Sequence, residues 1–341
     1  MKRTENRYTT FALCREMLET PAVIRRFDRS RAAALSLASD MLLLSGEGSS
    51  RIFPAKQVIA SSLQRGRPQD IVTENASQSL EYQLTGRQVF VASNSGKTAE
   101  GVRLIRHLRA GAEGETTGGV AGITGLVAHG GTTIAEESDA AFVLDCGAEE
   151  AVAATKSVME QALFYEAVLR NANGEQPVDQ EALADMVEAA LTEPISREIV
   201  DAVAEAPVIY FAGRNDGVAE ELTLKTNEIT RKRSDYLEGT YAVHGIEEVM
   251  RPEEVVVVIE PFESEEEKFS TVLEQGVGLQ VVAISKRDTR FPTIRIPDGG
   301  DVAPWVQLAA GWNLLVEVGL AAGIDLDKPE RARKVGNEFV G

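Results

Sequence analysis

The chain has few residues that cross-link a fold or bind metals. Among its 341 residues are two cysteines, Cys14 and Cys146, and three histidines. Two cysteines are too few for a disulfide framework or for a cysteine-based zinc site. No spacing typical of a metal site accompanies them, so we expect neither a metal nor another cofactor.

Positive charge is also scarce. Lysine and arginine number 35 against 53 acidic residues, which gives a formal net charge of −18. This balance argues against nucleic acid and against an anionic membrane as partners. Acidic surfaces tolerate high salt, so a halophilic source is one explanation, and an ordinary acidic cytoplasmic protein is the other.

Long apolar runs are missing as well. None approaches the roughly 18 to 20 residues that a membrane-spanning helix needs. Residues 1–7 are polar and lack the apolar core of a signal peptide. Hydrophobic residues nevertheless make up 43% of the chain. These features predict a globular, cytoplasmic protein.

Short apolar runs alternate with helical stretches along the whole chain, a pattern typical of parallel βαβ units in an α/β fold. Strands are predicted at residues 41–44, 89–91, 119–123 and 141–144, then at 208–211, 255–259, 281–284 and 293–296. Helices are predicted at residues 100–108, 152–170, 180–191 and 304–322.

The two halves run in register, which indicates an internal duplication. Gly46 corresponds to Gly213 and Val91 to Val258, each pair 167 residues apart. The polar stretch 171–177 begins the connection between the halves. We therefore predict two domains, residues 1–172 with an N-terminal helical segment and residues 173–341.

One loop is suited to binding an anion. Residues 93–98 read Ser-Asn-Ser-Gly-Lys-Thr, follow a buried strand and lead into a helix. Hydroxyls, free backbone N–H groups and a helix N-terminus together favour a phosphate. The spacing differs from nucleotide and dinucleotide loops, so it fits a single phosphate on a small molecule. An ordinary polar turn is the alternative.

The matching loop of the second half, residues 260–264, reads Glu-Pro-Phe-Glu-Ser. It is acidic and contains proline, so we expect it not to bind phosphate. The phosphate site is thus predicted to be single.

With these motifs the sequence resembles the tandem SIS (sugar isomerase) phosphosugar isomerase family and is similar to the isomerase half of glucosamine-6-phosphate synthase. The family's Ser-Gln-Ser-Gly-Glu-Thr corresponds to residues 93–98, and its Gly-Thr-Ser to residues 48–50. Its Gly-Val-Ala-Ser-Thr-Lys corresponds to residues 151–156, where Ala154 replaces the serine.

Three further matches lie in the second half. The family's Leu-Lys-x-x-Glu-Ile reads as residues 224–229, and its His-Gly follows at His244, 16 residues after Glu228. Its Asp-x-Asp-x-Pro-Arg-x-x-x-Lys corresponds to residues 325–334, with the arginine displaced by one position. The resemblance covers roughly residues 10–340. The synthase's glutamine-hydrolysing domain has no counterpart, so we expect no ammonia to be drawn from glutamine.

The resemblance implies two tandem SIS domains, each a parallel sheet flanked by helices in a flavodoxin-like, doubly wound arrangement. It also implies a set of phosphate-binding residues, namely Ser49, Ser50, Ser93, Asn94, Ser95 and Thr98. Ala153 and Thr155 would contact the rest of the substrate. Lys97, where the family has glutamate, would offset the negative charge of the protein or face solvent.

The candidate catalytic residues implied by the resemblance are Lys225, Glu228, His244 and Lys334. Glu228 would move a proton between C1 and C2, with Lys225 binding a substrate oxygen while keeping the carboxylate ionised. His244 would open the sugar ring, and Lys334 would form a Schiff base or position oxygens. Taken singly, these residues also fit an exposed helix pair, a structural histidine and a tail lysine.

These roles favour an enzyme that converts glucosamine 6-phosphate into fructose 6-phosphate and ammonia. Another aldose–ketose phosphosugar isomerase, or a deglycase of fructosamine-type phosphates, would use the same residues. A sugar-phosphate sensor without turnover is the alternative from a different class. We expect a homodimer, in which His244 acts on the substrate of the neighbouring subunit.

Overall fold

A computed structural model describes residues 1–112, 119–331 and Glu338. Contacts between residues divide the chain into two units. The first-sheet unit contains the described residues of Val23–Glu149, the segment Lys156–Asp179 and Glu338. The second-sheet unit contains Met1–Ala22, Glu150–Thr155 and the described residues from 180 to 331.

Each unit is built around a five-stranded parallel sheet. The strands of the first sheet are β1 (Met41–Gly46), β2 (Asp70–Glu74), β3 (Gln88–Ser93), β4 (Gly122–Val127) and β5 (Ala140–Val143). Those of the second sheet are β6 (Val208–Gly213), β7 (Arg233–Glu238), β8 (Val255–Ile259), β9 (Gln280–Ser285) and β10 (Thr293–Arg295).

Helices connect these strands, as parallel pairing requires. They are α1 (Asn6–Thr9), α2 (Ala12–Arg26), α3 (Arg29–Ala33), α4 (Ile52–Arg65), α5 (Ala76–Ser79), α6 (Ala99–Ala112), α7 (Thr133–Glu137), α8 (Lys156–Ala172), α9 (Gln180–Thr192), α10 (Arg197–Glu205), α11 (Val218–Thr230), α12 (Glu266–Phe269) and α13 (Ala303–Ala321). The segment Ser270–Val277, directly after α12, is a π-helix. No helix in the described ranges is both long and apolar enough to span a membrane.

The two sheets have the same topology. The first has the order β2-β1-β3-β4-β5, and the second, read from its opposite edge, has the order β7-β6-β8-β9-β10. β1 begins at Met41 and β6 at Val208, 167 residues later, and β3 and β8 are offset equally. The prediction of an α/β fold with parallel sheets flanked by helices is confirmed, as is the register between these strands.

Two strands were missed by the sequence analysis, β2 and β7. Both lie at a sheet edge and are partly exposed, with sequences Asp-Ile-Val-Thr-Glu and Arg-Ser-Asp-Tyr-Leu-Glu. An edge strand pairs on one side only and tolerates polar residues, so it lacks an apolar run. The strand predicted at 119–123 begins at Gly122, and the helix predicted from residue 152 begins at Lys156.

The division into units also departs from a simple cut between residues 172 and 173. Residues Met1–Ala22 have most of their contacts with the second-sheet unit. One cause is Asp327, whose carboxylate accepts hydrogen bonds from the backbone N–H groups of Ala12 (2.7 Å) and Leu13 (2.9 Å). These are the first residues of α2, so Asp327 satisfies two of the donors that a helix start leaves open.

In the second-sheet unit, α13 fixes the position of α11. The helix is almost entirely buried, including Trp305 and Trp312, and it contacts α9, α10 and α11. A Cβ atom on Gly311 would overlap the side chain of Leu222 in α11. This glycine therefore permits the close approach of the two helices, and the face of α11 that carries Lys225 is held in place.

A buried carboxyl group in α8 makes the stability of the protein depend on pH. Glu160 is fully buried, and its Oε1 accepts a hydrogen bond from the backbone N–H of Asp145 at 2.8 Å. Burial raises the pKa of Glu160 from its ordinary value of 4.5 to about 7. The folded protein consequently holds an extra proton between these two pH values.

We predict that the free energy of unfolding falls as pH rises from 4.5 to 7, by about 3 kcal/mol. Glu160→Gln keeps an acceptor for Asp145 without ionising, so this decline should disappear. Urea unfolding at pH values from 4 to 8 measures it, with Glu81→Gln as an exposed control. Parallel pH profiles for the Glu160→Gln variant and the wild type would contradict the assignment.

Candidate functional site

The predicted phosphate loop lies between β3 and α6 in the first-sheet unit. The hydroxyl of Ser93 shares a hydrogen bond with the hydroxyl of Thr98 (2.7 Å) and accepts one from the N–H of Gly96 (3.0 Å). The Ser95 hydroxyl accepts from the N–H of Lys97 at 3.2 Å. One proton lies between Ser93 and Thr98, so this pair keeps a second proton that can be donated to an anion.

Gly96 gives the loop its tight shape. Its φ angle is +65°, in the left-handed region that favours glycine. Its carbonyl accepts a hydrogen bond from the N–H of Ile134 at 3.0 Å, and a Cβ atom at this position would overlap the side chain of Thr132. The backbone here therefore fits only a residue without a side chain.

Two other predicted phosphate ligands follow β1. Gly48–Ser50 forms a 3-10 turn in which Ser49 is buried and Ser50 partly exposed. The preceding Glu47 is half-buried, and its carboxylate accepts from the N–H of Ala76 at 3.0 Å. Burial raises the pKa of Glu47, and the carboxylate of Glu100 in α6 adds to the shift.

The structure adds a residue that the sequence analysis missed, Glu149. Its Oε2 accepts hydrogen bonds from Nδ2 of Asn94 (2.8 Å) and from the hydroxyl of Ser157 (2.6 Å). Its Oε1 accepts from the N–H of Ser157 at 3.3 Å. Glu149 lies in the connection between β5 and α8, and its bond to Asn94 spans 55 positions, so no local sequence signal marks it.

In the second-sheet unit, three charged side chains of α11 form a buried group. Lys225 has no exposed surface, and its ammonium lies 2.8 Å from Oε2 of Glu228 and 3.3 Å from Oε1 of Glu221. Burial by itself would lower the pKa of Lys225, but the two carboxylates outweigh it and raise the pKa above its ordinary value. The spacing i, i+4 and i, i+3 brings all three to one helix face.

Only Glu228 of this group reaches the surface. Its side chain is 20% exposed, whereas those of Lys225 and Glu221 are 0% exposed. A buried lysine stays charged only with counter-ions. Glu221, which the sequence analysis did not identify, is the fully buried counter-ion, whereas the carboxylate of Glu228 reaches solvent.

His244 follows the 3-10 turn Tyr241–Val243 and is exposed. Its Nε2 lies 3.2 Å from the ammonium of Lys268 in α12. A lysine ammonium only donates hydrogen bonds, so Nε2 is the acceptor and Nδ1 carries the ring proton. Nδ1–H is then the donor that the ring has available.

The remaining predicted residues are placed as follows. Ala153 and Thr155 are buried, and Lys97 is exposed. Lys334 lies outside the described residues, and its role stays a prediction. Across residues 1–112, 119–331 and Glu338, no group of three His, Cys, Asp or Glu side chains is arranged to hold a metal ion.

The second sheet carries a carboxylate at the position that corresponds to Ser93. Glu260 directly follows β8, and its carboxylate accepts from the hydroxyl of Ser285 (3.0 Å) and from the N–H of Lys286 (3.1 Å). Its backbone carbonyl accepts from the guanidinium of Arg214. The hydroxyl and N–H donors at the end of β9 beside this loop already serve the carboxylate of Glu260, which gives a physical reason why the loop would not bind phosphate.

Comparison with known proteins was made by sequence and by structure. No protein-family model matches the chain. A glutamine–fructose-6-phosphate aminotransferase (isomerizing) of Aeropyrum pernix is 27% identical over 354 residues, covering 93% of this chain and 53% of that protein. The chain thus spans about half the length of the curated relatives it matches.

Solved structures share the fold over nearly the whole chain. Tagatose-6-phosphate ketose/aldose isomerase from Escherichia coli matches with a TM-score of 0.77 and 18% identity, covering 95% of this chain and 98% of that one. Glucosamine-6-phosphate deaminase from Thermotoga maritima matches with a TM-score of 0.76 and 19% identity, with the same coverage. At these identities the likeness shows the fold, which is that of phosphosugar isomerases.

We predict that Gly96→Ala disrupts the loop through both its φ angle and its overlap with Thr132. Gly131 has the same φ of +65° but open space around it, so Gly131→Ala measures the backbone cost alone. Gly96→Ala should lower the free energy of unfolding by roughly 1–3 kcal/mol more than Gly131→Ala. Equal losses in urea unfolding would show that Thr132 does not restrict this position.

Proposed function

We propose that the protein is a phosphosugar isomerase that acts on an amino sugar phosphate, converting glucosamine 6-phosphate and water into fructose 6-phosphate and ammonia. The observation that carries the proposal is the group Glu221–Lys225–Glu228, in which one partly exposed carboxylate lies against a buried lysine that also pairs with a second, fully buried carboxylate. The similarity to isomerising enzymes supports an enzyme of this class.

The proposed reaction begins with the phosphate held by the loop 93–98 and the turn 48–50. His244 moves a proton between the ring oxygen and the anomeric hydroxyl, which opens the sugar to its aldehyde form. Glu228 then removes the proton from C2 and returns it to C1, while one N–H proton of the amine passes to O1, so that the aldehyde becomes a CH2OH group and the C2 amine becomes an imine. Water adds to this imine, and ammonia leaves to give the C2 ketone.

Of the two roles predicted for Lys225, the geometry favours the electrostatic one. Its side chain has no exposed surface, and its ammonium is shared by two carboxylates. When Glu228 takes up the substrate proton, Glu221 still balances the charge of Lys225. The charge of Lys225 therefore stays compensated throughout the proposed proton transfer.

The finer features of the fold and assembly belong to the same proposal. The shared strand order supports two tandem SIS domains of the flavodoxin-like, doubly wound type. We also propose that the protein is cytoplasmic. Tyr241 and Val249, in the two turns on either side of His244, are 51% and 66% exposed. A homodimer that buried these large side chains would also cover His244. His244 would then act on the substrate of the partner subunit.

Other phosphosugars remain alternatives. A plain aldose–ketose isomerase uses the same proton transfer without loss of an amine, and one structural relative carries that activity in its name. A deglycase of fructosamine-type phosphates would use the same groups, whereas a sensor would bind without turnover. The products formed from each sugar phosphate separate these cases.

The test is turnover of a panel containing glucosamine 6-phosphate, fructose 6-phosphate and tagatose 6-phosphate, at low and high salt. We expect ammonia and fructose 6-phosphate to form in equal amounts from glucosamine 6-phosphate. In D₂O, exchange of deuterium at C1 or C2, followed by NMR, reports the proton transfer directly. Binding of every sugar without exchange would contradict an enzymatic function.

We predict that Glu228→Gln lowers kcat by roughly 100- to 10,000-fold, the usual contribution of a positioned base. Glu221 remains to balance Lys225, so the variant should fold, which circular dichroism verifies. Glu205→Gln, an exposed glutamate of α10, serves as the control with unchanged activity. Full activity of the Glu228→Gln variant would rule this residue out as the base.

A further inference from the structure

The buried carboxylate of Glu149, which is not part of the phosphate loop, accepts a hydrogen bond from it. The residue follows β5 and is 9% exposed. Its Oε2 accepts from Asn94 in the loop and from Ser157 in the first turn of α8, at 2.8 and 2.6 Å. One side chain thus connects the loop with the start of a 17-residue helix.

A carboxylate beside an anion-binding loop needs a physical reason, because like charges repel. Here the negative charge of Glu149 lies at the N-terminus of α8, where it also accepts from the backbone N–H of Ser157 (3.3 Å). Helix dipoles stabilise anions at this end. Glu149 therefore occupies the α8 terminus itself and leaves the loop 93–98 as the place for an external phosphate.

The bond also fixes how Asn94 is oriented. A carboxylate only accepts, so Nδ2 of Asn94 faces Glu149 and its Oδ1 faces away. One of the two N–H donors of Nδ2 is thereby committed to Glu149, which holds the side chain of Asn94 in one orientation within the loop. The backbone carbonyl of Asn94 accepts a hydrogen bond from the N–H of Ala128 at 3.2 Å. This second bond also fixes the position of the residue.

We propose that Glu149 is a positioning residue for phosphate binding, acting through Asn94 to hold the loop 93–98 in its binding shape before the substrate arrives. Preorganisation of this kind strengthens binding, because the loop need not be ordered when the ligand binds. The inference rests on the proposed function in taking this loop as the phosphate site. It predicts an effect on KM with little effect on kcat.

The test measures the Kd for inorganic phosphate and for fructose 6-phosphate by calorimetry. Glu149→Leu should weaken both by roughly tenfold, and Glu149→Gln, which keeps an acceptor oxygen, by less. Glu150→Gln is the matched control, since this neighbour is highly exposed and its side chain pairs with Arg15. Turnover of glucosamine 6-phosphate should show a raised KM and a kcat within threefold of the wild type.

Two further variants separate loop positioning from helix capping. Ser157→Ala removes the hydroxyl bond from α8 to Glu149 and keeps the backbone N–H bond, so it should lower the melting temperature while leaving both Kd values unchanged. In an Asn94→Ala background the bond to Glu149 is already lost, so adding Glu149→Leu should change Kd by less than about twofold. A full tenfold effect in that background, or weakened binding in Ser157→Ala, would overturn the proposal.

Phosphate binding does not depend on turnover, so the two hypotheses can fail separately. If no sugar phosphate reacts but inorganic phosphate binding responds to Glu149 as expected, the proposed function fails and this inference stands. If phosphate binds and Glu149→Leu leaves its Kd within twofold of the wild type, the inference fails. Absence of any phosphate binding by the wild type overturns both.

Discussion

In a parallel sheet the carboxyl ends of all strands lie together, along one edge that runs across the strands. This constraint decides where the polar groups of each unit gather. In the first-sheet unit, the turn after β1, the loop after β3 and Glu149 after β5 all follow strand ends at that edge. Helices begin nearby, so N–H groups and dipole ends accumulate there. Hydroxyls, glycine and one carboxylate then set the shape of the loop.

The same constraint acts on the second sheet with a different outcome. In the loop after β8, the carboxylate of Glu260 accepts hydrogen bonds from Ser285 and Lys286 at the end of β9. An anion from the chain itself thus occupies these donors. A repeated scaffold can therefore keep its topology while the polar groups at its strand ends differ. In that unit the candidate chemistry lies on α11 instead, where Lys225 is enclosed by two carboxylates.

The sequence analysis predicted those elements that a local pattern of residues marks. The central strands are runs of apolar residues, and the offset of 167 between β1 and β6 was legible in the sequence. β2 and β7 were missed because edge pairing permits polar residues. Glu149 was missed because the fold brings its partner Asn94 close. Glu221 lies four residues before Lys225, but only the fold shows that this face of α11 is buried. Glu149 meets Asn94 across 55 positions, which no periodicity marks.

Asp327 has a consequence for how the chain folds during synthesis. Its carboxylate caps α2 at Ala12, 315 positions earlier. A helix that receives its cap from so distant a residue acquires that cap only after Asp327 has been synthesised. The five strands of the first sheet, by contrast, all lie within residues 41–143, so they can pair before Asp327 is available.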